Sequence, residues 1–145
     1  MNIEGKIALI TGASRGIGRA MAKPFRRKIA YELAHQGIRR LILIARSAHH
    51  LHQLADDVRR LGVEAVPIAL DLTIPKQVSV VMARVWRDYG DIDLLINCAG
   101  VAYQTPFLRS RASQVQTEMS TNMMGMYTVT GPIARRMVSR RNGTI

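Results

Sequence analysis

At 145 residues, with 48% hydrophobic and 21% charged side chains, the chain has the length and composition of one soluble globular domain. No apolar run approaches the roughly 18 residues that a membrane span needs. Met1 to Gly5 lacks the charged and apolar regions of a signal peptide, and the single cysteine, Cys98, excludes an internal disulfide and fits a reducing, cytoplasmic compartment. The formal net charge of +11 invites a nucleic-acid partner, but its arrangement argues against one. The basic residues form scattered knots at Lys23 to Lys28, Arg39-Arg40, Arg59-Arg60 and Arg135 to Arg141, and a lone Phe25 among them is not the aromatic interleaving that a stacking platform would require. Solvated helix faces account for most of that charge.

The first predicted element is an apolar strand, Ile7 to Ile10, which runs into Thr11-Gly12-Ala13-Ser14-Arg15-Gly16-Ile17-Gly18. Glycines let a main chain approach a phosphate without a Cβ in the way, and a helix beginning there aims its N–H groups at the anion. That first helix should reach Gly37, but Pro24 lies inside it and would cost about 3 kcal/mol in a helix interior. As one helix, Gly16 to Gln36 would be about 31 Å long, whereas a strand of five or six residues spans only about 17–20 Å. Residues 21–28 therefore read as an insertion. Either the helix breaks there, with Pro24 opening a second one whose Phe25, Ile29 and Leu33 face the sheet, or the segment is an artefact of the sequence.

Three further apolar runs follow, Leu41 to Ala45, Ala65 to Leu70 and Ile92 to Ile96, short and rich in Ile, Leu and Val as strands buried on both faces should be. Between them Leu51, Leu54, Ala55, Val58 and Leu61 recur at helical spacing and are closed by Gly62. Val78, Val81, Met82, Val85 and Trp86 repeat the pattern, with Pro75 suited to a first helical turn. Strict alternation of strand and helix predicts right-handed crossovers and a parallel sheet. His49, His50 and His52 cannot converge on one ion from a single helix, and no metal site is expected. Met119, Met123, Met124 and Met126 read as packing residues on a long helix from about Val115 to Arg141. Asn97 reads as a buried hydrogen-bonder linking strands.

The glycine spacing T-G-x-x-x-G-x-G resembles that of the short-chain dehydrogenase/reductase family, and further matches arrive in the right order over the whole chain apart from residues 21–28. Asp71-Leu72 follows the third strand, where the family places an aspartate beside adenine. Asn97-Cys98-Ala99-Gly100 resembles its N-A-G segment. Asn122, in Ser120-Thr121-Asn122-Met123, matches its catalytic asparagine, and Gly143-Thr144-Ile145 resembles the opening of a fifth strand. The resemblance implies a doubly wound, parallel Rossmann-type α/β sheet of strand order 3-2-1-4, one dinucleotide-binding domain over residues 1–145 that is cut where strand five starts. It implies a nicotinamide dinucleotide held by Gly12, Ser14, Arg15, Gly16, Ile17, Gly18, Arg46, Asp71, Leu72, Asn97, Ala99 and Gly100, with Asn122 as the catalytic position, and a homo-oligomer in complete relatives.

Charge decides the expected cofactor form. An acidic residue at the end of the second strand would bond the ribose 2′-OH of NAD and repel a 2′-phosphate. This strand ends Ile44-Ala45-Arg46-Ser47, with no carboxylate, and Arg46 and Arg15 are placed to clamp a phosphate. NADP(H) is therefore expected over NAD(H). Members of the family that this chain resembles act on an alcohol/carbonyl pair with a serine, a tyrosine and a lysine. None of the four tyrosines here has lysine four positions later: Tyr31 is followed by His35, Tyr89 by Asp93, Tyr103 by Phe107 and Tyr127 by Gly131. The chain alone is accordingly expected not to turn over. A redox-silent NADP-binding module and a non-functional remnant are the alternative readings.

Overall fold

The computed structural model describes residues 2–14 and 25–145, the side chains of 25–28 excepted. Four parallel strands form one sheet: β1 (Ile7–Thr11), β2 (Arg40–Ala45), β3 (Glu64–Ala69) and β4 (Leu94–Asn97), in the order β3-β2-β1-β4. This is the predicted 3-2-1-4 arrangement. Among the described residues five α-helices connect or follow them: α1 (Phe25–His35), α2 (Ala48–Arg60), α3 (Pro75–Tyr89), α4 (Ala112–Met119) and α5 (Met126–Ser139). A wide π turn, Ser120–Gly125, joins α4 to α5.

The continuous apolar runs of β1 and β2 exist because the sheet is covered on both faces. Side chains alternate along a strand, and here alternate residues enter different cores. Ala8, Ile10, Leu41 and Leu43 pack with Leu33 of α1 and Leu51 and Leu54 of α2. Ile7, Leu9, Ile42 and Ile44 pack on the opposite face with Val78 and Met82 of α3 and Val129 and Ile133 of α5.

Several sequence expectations need correction. β3 is not buried on both faces: it is an outer strand, with Val66, Pro67 and Ile68 half-buried and Ala69 exposed. Edge position is also why a proline fits there, since Pro67 faces Leu43 on one side and no described strand on the other. β4 starts at Leu94 rather than Ile92, because the Asp93 carboxylate accepts the Ile7 N–H at 3.0 Å in place of a backbone carbonyl. Leu61 lies past the end of α2 and is exposed, while Leu51, Leu54, Ala55 and Val58 are buried as expected. The proposed insertion falls largely outside the described residues. Within them α1 begins at Phe25, Leu33 is buried and Ile29 packs partly against the same core.

Beyond α5, Thr144 forms a parallel bridge with Leu94. The Leu95 N–H donates to the Thr144 carbonyl and the Thr144 N–H to the Asp93 carbonyl, 2.9 Å each. Gly143-Thr144 thus lies along the free side of β4, as a fifth strand would. α5 is tied to the same corner, with Arg140 3.2 Å from Asp93 and donating also to the Ile92 carbonyl. Several arginines are paired internally, Arg40 with Glu64 at 2.7 Å, Arg59 with Asp56 at 2.9 Å, and Arg60 with Asp57 at 2.8 Å.

Candidate functional site

From β1 the chain winds outward through β2 and β3 on one side, while β4 lies on the other. In open parallel sheets of this kind, a crevice forms at the carboxyl ends of the strands where the winding reverses. A cleft lies there. Its base is the turn after β1, its far wall the loop after β3, and its near wall the loop after β4.

Gly12 shapes the base. Its φ of +66° suits glycine, and a Cβ there would sit 2.6 Å from the Ala99 Cα and 2.7 Å from the Cys98 carbonyl. Glycine is thus required both by conformation and by the close passage of the β4 loop. Thr11, immediately before it, is buried, and its hydroxyl accepts the Cys98 and Ala99 N–H groups at 3.1 Å each. The Ala13 N–H donates to the Ile44 carbonyl at 3.1 Å, which anchors the same turn to β2. Ser14 lines the cleft; Arg15, Gly16, Ile17 and Gly18 lie outside the described residues.

Arg46 is exposed at the cleft rim, directly after Ala45 ends β2, and no carboxylate accompanies it there. On the far wall Asp71 and Leu72 both line the cleft. One Asp71 oxygen accepts the Thr73 N–H at 2.9 Å and the Thr73 hydroxyl at 2.8 Å, so the loop's own turn fixes that carboxylate. Ala99 and Gly100 line the near wall with Val101.

Two predicted residues stand apart. Asn97 does not line the described cleft, and it links a strand to a helix rather than strand to strand: its amide donates to the Thr130 hydroxyl on α5 at 2.9 Å. Asn122 is exposed on the π turn and grips Val101 with both ends of its amide. Its nitrogen donates to the Val101 carbonyl and its oxygen accepts the Val101 N–H, each at 2.8 Å.

Sequence reasoning missed Thr11, Val101 and Thr121. Thr11 stood in the quoted motif, but its role as a clamp depends on where β4 ends. Thr121 lines the cleft, yet nothing in a run of polar and Met residues distinguishes it. The histidines behave as exposed helix residues: the Ser47 hydroxyl lies 2.9 Å from His50 Nδ1, and His52 Nδ1 lies 2.8 Å from the Ala48 carbonyl. Met119, Met123, Met124 and Met126 are about half exposed, which overturns their reading as packing residues: they occupy the outer side of the segment whose inner side carries Val129 and Ile133.

Comparison with known proteins agrees with this geometry. A family model described as short chain dehydrogenase matches residues 6–145. The 3-oxoacyl-[acyl-carrier-protein] reductase FabG of Escherichia coli is 32% identical over all 145 residues, and its Thermotoga maritima counterpart is 30% identical. Those matches cover 54% and 55% of the relatives, so the chain spans about half the length of the curated relatives it matches. Among solved structures, a short-chain type dehydrogenase/reductase from Mycobacterium marinum superposes with a TM-score of 0.80 at 32% identity, over 96% of this chain and 53% of that one. A putative gluconate dehydrogenase from Agrobacterium tumefaciens gives 0.84 at 29% identity, over 99% and 53%. With its strand order, its glycine turn and a family match that begins one residue before β1, the chain belongs to the short-chain dehydrogenase family.

Proposed function

We propose that this chain is the dinucleotide-binding portion of an NADP(H)-dependent oxidoreductase acting on an alcohol/carbonyl pair. The observation that carries the cofactor choice is Arg46 at the rim of the cleft, where a NAD-selective site would hold a carboxylate. The residues present suit the group. Gly12 lets the turn after β1 pack against the β4 loop at the base of the cleft, and the walls offer a carboxylate, Asp71, and the apolar Leu72 to a base. Arg46, with Arg15 from the glycine loop, would hold the 2′-phosphate by charge-assisted bonds. Ser14, Gly16, Ile17 and Gly18 would hold the pyrophosphate, and Asn97, Ala99 and Gly100 complete the set by resemblance. The chemistry this cofactor supplies is hydride exchange with a carbon centre.

Asn122 is carried over as the family's catalytic position, and in this chain it acts through its grip on Val101. The serine and the tyrosine–lysine pair that members of the family use are not among these 145 residues. The reading therefore assigns nucleotide binding to this chain, and carbonyl chemistry to it only when joined to such a pair. The second reading is a redox-silent NADP-binding module, which the same cleft-lining residues would serve. Relatives named as reductases of a 3-oxoacyl group favour a carbonyl substrate for the first. No described helix is long and apolar enough to cross a membrane. A cytoplasmic setting rests on the lone Cys98, and self-association on the exposed apolar side of α4 and α5.

Calorimetric titration with NADP⁺ and NAD⁺ tests the proposal. NADP⁺ should bind more tightly, and Arg46→Asp should narrow or invert the preference, since one charge-assisted bond contributes about 1.5–3 kcal/mol. Equal affinities in the unmutated chain would contradict it.

A further inference from the structure

We infer that Gly125, on the π turn behind the cleft, is a positioning residue for nucleotide binding: having no side chain, it lets that turn seat on Leu72 and so holds the cleft's two walls at their separation. The inference rests on the dinucleotide reading above.

The two walls, Leu70 to Leu72 and Ala99 to Val101, follow β3 and β4, the outermost strands of the sheet. No ladder joins them. The turn Ser120–Gly125 reaches both. On one side Asn122 holds Val101 by its paired amide bonds. On the other, Gly125 is buried, and a Cβ built on it would lie 2.9 Å from the Leu72 Cβ and 3.3 Å from the Leu72 carbonyl oxygen. Those atoms belong to the backbone and the first side-chain carbon, which cannot swing aside as the tip of a long side chain can. The preceding Asp71 is held by its two bonds from Thr73. Thr121, next to Asn122 on the same turn, lines the cleft, so the turn itself backs the space a nucleotide would enter.

Backbone conformation does not explain this glycine. Its φ of −61° and ψ of −45° are ordinary helical values, and alanine is the better helix former. Only the approach to Leu72 requires it. A methyl group at position 125 has to move the turn off Leu72 or move Leu72 within the cleft it lines, and either changes the spacing between the walls. Gly131, on α5, offers an internal control: a Cβ there meets nothing within 4 Å.

The test is calorimetric titration of NADP⁺ into the chain and its Gly125→Ala and Gly131→Ala variants, each with a thermal melt. Gly125→Ala should weaken binding about tenfold, while Gly131→Ala stays within about twofold and melts no lower than the parent. A second pair of variants separates a local contact from a general loss of order. In a Leu72→Gly background, which lacks the carbon a residue at 125 meets first, adding Gly125→Ala should change affinity less than about twofold. The full tenfold loss in that background would overturn the inference. So would binding of NADP⁺ by Gly125→Ala as tight as by the parent, and in that case the dinucleotide reading stands. No NADP⁺ binding by the parent chain overturns the dinucleotide reading and the inference with it.

Discussion

Helix α2 and the helical segment from Ala112 to Ser139 treat their apolar residues in opposite ways. In α2, Leu51, Leu54, Ala55 and Val58 are all buried on one stripe against β3 and β2. The later segment buries Val129, Ile133 and Met137 on one side and leaves Met119, Met123, Met124 and Tyr127 more than half exposed on the other. An apolar stripe on one side commits a helix to its own sheet; apolar residues on both sides give it a face that its own sheet does not cover. The difference explains why periodicity located α2 well and misjudged the methionines.

The largest expected effect should come from α2. Leu54→Ala removes a side chain that is 1% exposed, and comparable core truncations cost 2–5 kcal/mol. Chemical denaturation should show a loss of about that size. A cost below about 1 kcal/mol would mean that α2 is packed more loosely than its burial indicates.

A middling effect should come from the place where α5 is moored. Asp93 accepts the Ile7 N–H and faces Arg140, so Asp93→Ala strands a backbone donor at the start of β1 and removes one of the partners of Arg140, the residue that caps α5. A loss of about 1.5–3 kcal/mol is expected by the same denaturation assay, with Asp93→Asn in between because its amide oxygen can still accept from Ile7. If Asp93→Ala behaves like a surface substitution, α5 is held by its apolar contacts alone.

The smallest effect should come from the outer face. Met123 is 54% exposed, and Met123→Ala should shift stability by no more than about 0.5 kcal/mol. A loss approaching that of Leu54→Ala would break the comparison outright: it would show that this face is covered in solution, most simply by a second copy of the chain.

The parallel sheet was legible because each buried strand is a short apolar run bounded by turn residues and alternates with a helix; the strand order came from the motifs' resemblance to the family. Strand ends were less legible. β4 is shortened by a side chain, Asp93, standing in for a backbone acceptor, and no apolar pattern announces that exchange. At the site, Gly12, Ser14, Arg46, Asp71, Leu72, Ala99 and Gly100 were all named from motif positions, and all line one cleft. What motif positions did not disclose were the contacts made between distant segments: Thr11 to the β4 loop, Asn97 to Thr130, and the π turn to both walls. Each depends on how two loops meet in space, and neither loop alone carries a periodic signal.

Hydrogen exchange, followed by mass spectrometry with and without NADP⁺, tests most directly whether this cleft is the nucleotide site. Bound nucleotide should slow exchange in residues 70–73, in 99–101 and in the turn Ser120–Gly125 that braces them, while α2 exchanges as before. Protection that spares both walls, or NADP⁺ binding with no protection there, would contradict the account.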